Sequence, residues 1–208
     1  MFEKIAFLAL GWLLGLLAPV IVDAIKRGRE NALGRDAILS ELREVGGVLA
    51  IAAYGARMHR GKVDRAFLQW LSTDLERHAV SEHLCAMIPS LRQQLLLSDQ
   101  NIANGAKYFA GKDGVSSVLQ RYPVPLLDAR VAALWTFDTS FQRRLLVVRQ
   151  NMHFLDDIVE RFRRYHDMTF GPLDSNNYAR VVENIDQAYD LYAERAIRTV
   201  NLIRGISP

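Results

Sequence analysis

An uncharged apolar run of eighteen residues, from Ile5 to Val22, constrains this chain more than any other feature. The hydrocarbon core of a bilayer needs about 17–25 apolar residues in a helix, and the run reaches the short end of that range. It therefore predicts one transmembrane helix within residues 1–24. The alternative is a cleaved signal peptide that ends near Val22-Asp23-Ala24. The start of the chain is nearly neutral, however, whereas signal peptides begin with positive charge.

Three basic residues, Lys26, Arg27 and Arg29, follow the run within a juxtamembrane segment of residues 25–34. Because positive charge resists translocation, they favour a retained anchor with the N-terminus outside and residues 35–208 in the cytoplasm. We also expect them to contact anionic lipid headgroups. The single cysteine, Cys85, is consistent with a reducing compartment, since no internal disulfide is possible. Its apolar neighbours predict a core position rather than a nucleophile.

Two glycines in the apolar run, Gly11 and Gly15, are four residues apart. Such a pair lets two membrane helices approach closely and predicts self-association through this face. The alternative is that glycine is simply common in membrane helices.

The rest of the chain has the apolar period of helices with one buried face. Two C-terminal segments carry it longest, at Phe141, Leu145, Val148, Met152, Leu155, Val159 and Phe162, and at Tyr178, Val182, Ile185, Tyr189, Tyr192, Ala196 and Ile203. No segment sustains period-two alternation, so we expect no sheet. The predicted fold class is all-α, with a cytoplasmic helical bundle and a long C-terminal antiparallel helix hairpin behind the anchor.

Local signals refine this prediction. Gly46 and Gly47 lie within a helix that spans about residues 35–57, and they predict close packing against a neighbouring helix. Pro89 predicts a kink or break just before it. The first helix of the hairpin starts near residue 125 or 128, with a possible interruption at 136–140. The second starts after a cap at Asp174 or Ser175.

Composition and charge exclude some functions. The chain has 26 basic and 23 acidic residues, a net charge of +3, which is far from the dense basic face of a DNA-binding protein. We find no glycine-rich phosphate loop, no nucleotide fingerprint and no Ser-His-Asp pattern, so no cofactor is expected. Two sets of acids and histidines share helical faces but lack the repeats of a di-iron bundle, so no metal site is expected. These sets are His153, Asp156 and Asp157, and Asp74, His78 and Glu82.

Two arginine–histidine spacings are the candidates for catalysis, Arg161 with His166 and Arg77 with His83. A histidine transfers protons near neutral pH, and an arginine stabilises charge on a phosphate. Both spacings resemble the Arg-x4–6-His motif of the HEPN helical-bundle ribonucleases. That resemblance implies a cleft shared by two protomers that cleaves RNA without a metal.

Helix geometry weighs against a site within one chain. Arg161 and His166 point about 140° apart on a straight helix, so they share a site only if the helix ends between them or a second chain contributes. The other interpretation places Arg161 in an ion pair with Asp157, and Arg164 in one with Glu160, on a solvated helix face.

The layout of anchor, helical bundle and late Arg-x4-His resembles the Cas13b-associated, HEPN-like membrane proteins of type VI-B CRISPR systems. This resemblance implies a homo-oligomeric ring in the bacterial inner (plasma) membrane that acts in phage defence. The glycine pair of the anchor and the long heptad hairpin motivate our leading hypothesis, a non-enzymatic, pore-forming or membrane-perturbing effector, although the span has no polar residue to line a pore. The alternatives are a membrane-tethered ribonuclease that acts on RNA, and an anchored scaffold or sensor for a defence-system protein.

Overall fold

The computed structural model describes residues 2–78, 81–110, 118–172 and 174–206, without the side chains of residues 2–11, 13, 14 and 16. The described part of the chain is helical throughout, without strands, which confirms the all-α prediction. The elements are α1 (Phe2–His59), α2 (Arg65–His78), α3 (Glu82–Ala86), α4 (Ile88–Leu95), α5 (Asp99–Phe109), α6 (Pro125–Ala129), the 3-10 helix η1 (Val131–Thr136), α7 (Thr139–Met168) and α8 (Ser175–Arg204).

Helix α1 is continuous over 58 residues, where the sequence suggested an anchor, a connecting segment and a separate helix. The chain divides into two compact units, Met1–Ile38 and Leu39–Pro208. The predicted boundary, between residues 34 and 35, lies four residues earlier.

Among residues with described side chains, no helix has the length and mean hydropathy that crossing a membrane requires. Most side chains of the predicted span, Ile5–Val22, lie outside the described residues. The transmembrane helix therefore stays a prediction from sequence.

Helices α2 and α5 begin at side-chain caps. The Oδ1 atom of Asp64 accepts from the backbone N–H of Phe67 at 2.7 Å in the first turn of α2. Ser98 does the same for Asn101 of α5 at 3.2 Å. Such caps satisfy N–H groups that have no partner within the helix. The predicted break before Pro89 is confirmed, because α3 ends at Ala86 and Pro89 lies in the first turn of α4.

The interruption before the hairpin is also confirmed. Helix α6 ends at Ala129, a 3-10 turn follows, and α7 begins only at Thr139, where Asp138 caps it with a 2.9 Å bond to Phe141. The first turn of α6 is stabilised by a residue that is distant in sequence. Both carboxylate oxygens of Glu41 accept from the backbone N–H groups of residues 126 and 127, at 2.8 and 2.9 Å.

Helices α7 and α8 form the predicted C-terminal pair and contact each other more extensively than any other two elements in the described part of the chain. All seven heptad residues predicted in α7 are buried, which confirms that face. In α8 the prediction holds from the middle onward, where Tyr189, Tyr192, Ala196 and Ile203 are buried. It is wrong at the start of the helix, where Tyr178 and Val182 are exposed. The cap at Asp174 is confirmed by its 2.9 Å bond to Asn177.

The paired glycines of α1 mark close contacts, as predicted. A Cβ atom added at Gly47 would lie 2.5 Å from Cδ1 of the buried Leu84. One added at Gly46 would lie 3.1 Å from the guanidinium of Arg204 at the end of α8. Glycine therefore lets α3 and the end of α8 approach α1.

The predicted core position of Cys85 is wrong, because this cysteine is exposed. Helix α3 has only five residues, and it turns Leu84 inward while the next residue faces out.

Candidate functional site

The structure does not bring Arg161 and His166 together within one protomer. Both lie in α7, which continues without a break to Met168. Arg161 is exposed, and its Nε donates to the backbone oxygen of Asp157 at 3.4 Å. The half-buried His166 ring instead stacks on Phe162, with ring centroids 5.8 Å apart. A catalytic site with both groups would therefore need a second chain.

Only one of the two predicted ion pairs beside this motif forms. Arg164 lies 3.6 Å from Glu160, as predicted for residues four apart. The pairing of Asp157 with Arg161 is wrong, because the arginine turns to the backbone oxygen and to a groove between α7 and α8. Arg195 and Arg198 line the same groove, so three guanidinium groups gather there.

The second pair, Arg77 and His83, is also divided. Arg77 lines a shallow depression with Trp70 and Arg204. His83 lines a different cavity, beside α1. Residues 79 and 80, which connect α2 to the start of this region, lie outside the described residues.

The residues predicted to meet lipid are exposed where the structure describes them. Lys26, Arg27 and Arg29 project from α1 as exposed side chains. A Cβ atom added at Gly15 would meet nothing within 4 Å, so this face of the helix is open in the protomer. The surroundings of Gly11 lie outside the described residues.

The cavity beside α1 has a volume of about 570 Å³, and we name it the α1 cleft. Its floor is the helix face formed by Val48, Ile51, Ala52 and Gly55, which are three or four residues apart and therefore share one side of the helix. The small side chains at positions 52 and 55 leave the space open. Leu84 closes one end of the floor.

The opposite wall combines apolar and polar groups. Val118 and Leu119 extend the apolar surface, and Gln120, Tyr122 and Tyr192 add polar atoms. The Tyr192 hydroxyl donates to the backbone oxygen of Gln120 at 3.2 Å, which ties α8 to the segment before α6. Within the described part of the chain, the half-buried Tyr122 hydroxyl has no hydrogen-bond partner.

Burial controls the protonation of these tyrosines. It raises the pKa of Tyr122 and, more strongly, that of Tyr192, to which the charge of Asp156 also contributes. Burial also raises the pKa of the Asp156 carboxyl itself. Both phenols therefore stay neutral at physiological pH, and the Tyr122 hydroxyl keeps its hydrogen available to the cleft.

Comparison with protein-family models, with curated proteins and with solved structures finds no match for this chain. Its site must be interpreted from its own geometry.

A buried ion cluster joins α2 and α8. Arg204 binds both oxygens of Asp74, and His78 Nδ1 lies 3.3 Å from the same carboxylate. Glu82, which helix spacing places on one face with Asp74 and His78, lies in a different helix, α3. Among the described residues, no three His, Cys, Asp or Glu side chains gather as metal ligands. The arginine satisfies the carboxylate, so the cluster is structural.

An aromatic column runs between α1, α8 and α7. The His59 ring stacks on Tyr189 at 4.0 Å, and Tyr189 meets Phe162 edge-on at 5.2 Å. Burial lowers the pKa of His59, although the nearby Asp186 opposes this effect. Burial also raises the pKa of Tyr189 to about 12. Since His166 also stacks on Phe162, this histidine belongs to the packing of the column.

Sequence reasoning missed the α1 cleft. Its lining comes from α1, α3, α8 and residues 118–122, which no local pattern connects. The one available signal was the run Val48–Gly55, where small residues replace the large apolar ones expected on a packed helix face.

Proposed function

We propose that the chain is a non-enzymatic, membrane-anchored protein that forms homo-oligomers, and that it perturbs the inner membrane as an effector in phage defence. The observation that carries the anchoring is the exposure of apolar side chains along α1. Trp12, Val20, Ile21, Val22 and Ile25 are each more than half exposed. Surfaces of this kind require lipid or protein to cover them, and the uncharged run, which contains all of these residues except Ile25, favours lipid.

Fractionation of cells that express the full chain tests the anchor. We expect the protein to stay in the membrane pellet after alkaline carbonate washing. The variant Leu17→Arg places a charge within the run at a cost of about 2.5–3.5 kcal/mol near the bilayer centre, and should move to the soluble fraction. Leu33→Arg, at an exposed apolar position beyond the run, is the matched control and should stay in the pellet. Wild-type protein in the wash would contradict anchoring.

Self-association through the glycine face is the second part of the proposal. The open space at Gly15 supports it, because a partner helix can approach closely there. Gly15→Leu should reduce crosslinking between copies in membranes. Gly28→Leu is the control, since position 28 is equally open but lies outside the apolar run. Equal crosslinking in the two variants would contradict a glycine-mediated contact.

The effect on the membrane has its own test. Cells that express the protein are loaded with a potential-sensitive dye and infected with phage. We expect depolarisation that the Gly15→Leu variant weakens. An unchanged membrane potential in infected cells would contradict membrane perturbation and favour the anchored scaffold, which predicts a stably bound protein partner instead.

A ribonuclease is the second candidate, favoured by the three guanidinium groups in the groove at Arg161. Guanidinium groups bind RNA phosphates, although the carboxylates of Asp157 and Glu194 line the same groove. His166 would have to come from another copy. Arg161→Ala and His166→Ala should each abolish RNA cleavage, and mixing the two variants should restore part of it. Intact RNA with the wild-type protein would exclude this candidate.

A further inference from the structure

We propose that the α1 cleft is a binding site for a small uncharged molecule with an apolar body and one hydrogen-bond acceptor. This site is separate from the anchor, and the inference does not depend on the proposed function. Its volume of about 570 Å³ is in the range of small-molecule sites, about 300–1,000 Å³.

The chemistry of the walls favours an uncharged ligand body. None of the residues that line the cleft is Lys, Arg, Asp or Glu, and the one imidazole among them, His83, is an exposed side chain of α3. A buried charge without a partner loses its hydration and gains nothing in return. Val48, Ile51, Leu84 and Leu119 instead offer apolar contact to a flat or branched hydrocarbon body.

The polar groups define where the acceptor lies. The Tyr122 hydroxyl lines the cleft and is free to donate among the described residues. The Tyr192 hydroxyl already donates to Gln120, so its oxygen is left as an acceptor. A carbonyl or ether oxygen near Tyr122 therefore completes a bond that the protein lacks, whereas a carboxylate would find no lysine or arginine in the walls.

The cleft also joins parts of the fold that are distant in sequence. Its floor is α1, and its opposite wall includes Tyr192 of α8 and the segment held by the Tyr192 bond to Gln120. A ligand that fills the cleft contacts both sides and therefore stabilises their packing. Binding should raise the melting temperature of the helical bundle, because any ligand that prefers the folded state does so.

Photolabelling with benzophenone tests this proposal on the full-length, solubilised protein. Benzophenone is a neutral aromatic ketone that inserts into nearby C–H bonds under light, and peptide mapping locates the label. We expect saturable labelling of the peptides that contain Ile51, Leu119 and Tyr192. The anionic analogue 4-benzoylbenzoate should label these peptides at least tenfold less.

Two variants and one control complete the experiment. Ala52→Phe fills the floor and should abolish saturable labelling. Tyr122→Phe keeps the shape but removes the donor, and should raise the half-saturating concentration about threefold to tenfold, the effect of one net hydrogen bond. Tyr178→Phe, at an exposed tyrosine of α8, should change nothing. The melting temperature identifies any variant that fails to fold.

Several results would overturn the inference. Labelling that does not saturate, or that spreads over the chain, would show partition into detergent rather than a site. Equal labelling by the two probes would contradict the preference for an uncharged ligand. If Tyr122→Phe folds and is labelled like the wild type, the Tyr122 hydroxyl does not bind the ligand. The proposed hydrogen bond to an acceptor is then wrong.

Discussion

Arg204, in the last turn of α8, binds Asp74 of α2 through two parallel hydrogen bonds, Nε to Oδ1 at 2.8 Å and Nη2 to Oδ2 at 2.9 Å. Both side chains are nearly buried, at 11% and 6% exposed. The space for the guanidinium exists because position 46 of α1 is glycine. This ion pair therefore links the end of α8 to α2, and it packs against α1.

Asp74→Ala should therefore destabilise the protein strongly. It leaves a buried guanidinium without its partner, which costs about 3–5 kcal/mol in such sites. Chemical denaturation followed by circular dichroism measures the change. Glu160→Gln is the control, because it removes an exposed pair with Arg121 and should have a much smaller effect. Equal effects of the two variants would contradict a stabilising role for the buried pair.

Two glycine substitutions should act in opposite directions. Gly47→Ala places a Cβ atom against the buried Leu84, and overpacking of this kind costs about 1–3 kcal/mol. Gly105→Ala in α5 meets open space, and alanine favours a helix by up to about 1 kcal/mol. The melting temperature should fall in the first variant and rise in the second. A rise in both would show that Leu84 moves aside freely.

The stability of the bundle should fall as the pH decreases from 7 to 5.5. Burial holds the pKa of His59 below its ordinary value of 6.5, with Arg60 acting in the same direction and Asp186 against it. Between the two pKa values the unfolded chain binds more protons, so the stability from His59 is present above pH 6.5 and is lost as the pH falls through the folded pKa.

The variant His59→Phe keeps an aromatic ring against Tyr189 but cannot titrate. Its melting temperature should depend less on pH than that of the wild type between pH 7 and 5.5. His153→Gln, at an exposed histidine of α7, should keep the wild-type dependence. An unchanged slope in the His59 variant would assign the pH effect to other groups.

Glu41→Gln should weaken the start of α6. The carboxylate accepts two backbone N–H groups there, and bonds to a charged group contribute about 1.5–3 kcal/mol. Hydrogen exchange at residues 126 and 127 should become faster, with a modest fall in global stability. Glu44→Gln, one turn away and exposed, should leave this exchange unchanged. Equal exchange in both variants would contradict the capping role.

The helices that carry long periodic patterns are the ones that sequence reasoning predicted well. In α7 a buried face repeats over six turns, and helix period alone identifies it. Tyr178 and Val182 continue the pattern in α8 but are exposed, and Val181 is buried there instead. A periodic pattern therefore predicts that a helix has a buried face, but near a helix end it can misplace that face by one residue.

Contacts between residues that are distant in sequence could not be predicted from such periodic patterns. Arg204 and Asp74 are 130 residues apart, and Glu41 caps a helix 85 residues away. No local pattern records such pairs, because the fold alone brings them together. For the same reason, the α1 cleft could not be predicted from the sequence. In contrast, the separation of Arg161 from His166 followed from helix geometry before any contact was known.

The native mass of the full-length chain in lipid nanodiscs tests the central claim most directly. A membrane-anchored homo-oligomer predicts a closed assembly whose mass is a multiple of 23.6 kDa, together with smaller species for Gly15→Leu. A wild-type protein that is monomeric in the bilayer, at concentrations where the bundle is folded, would contradict the account.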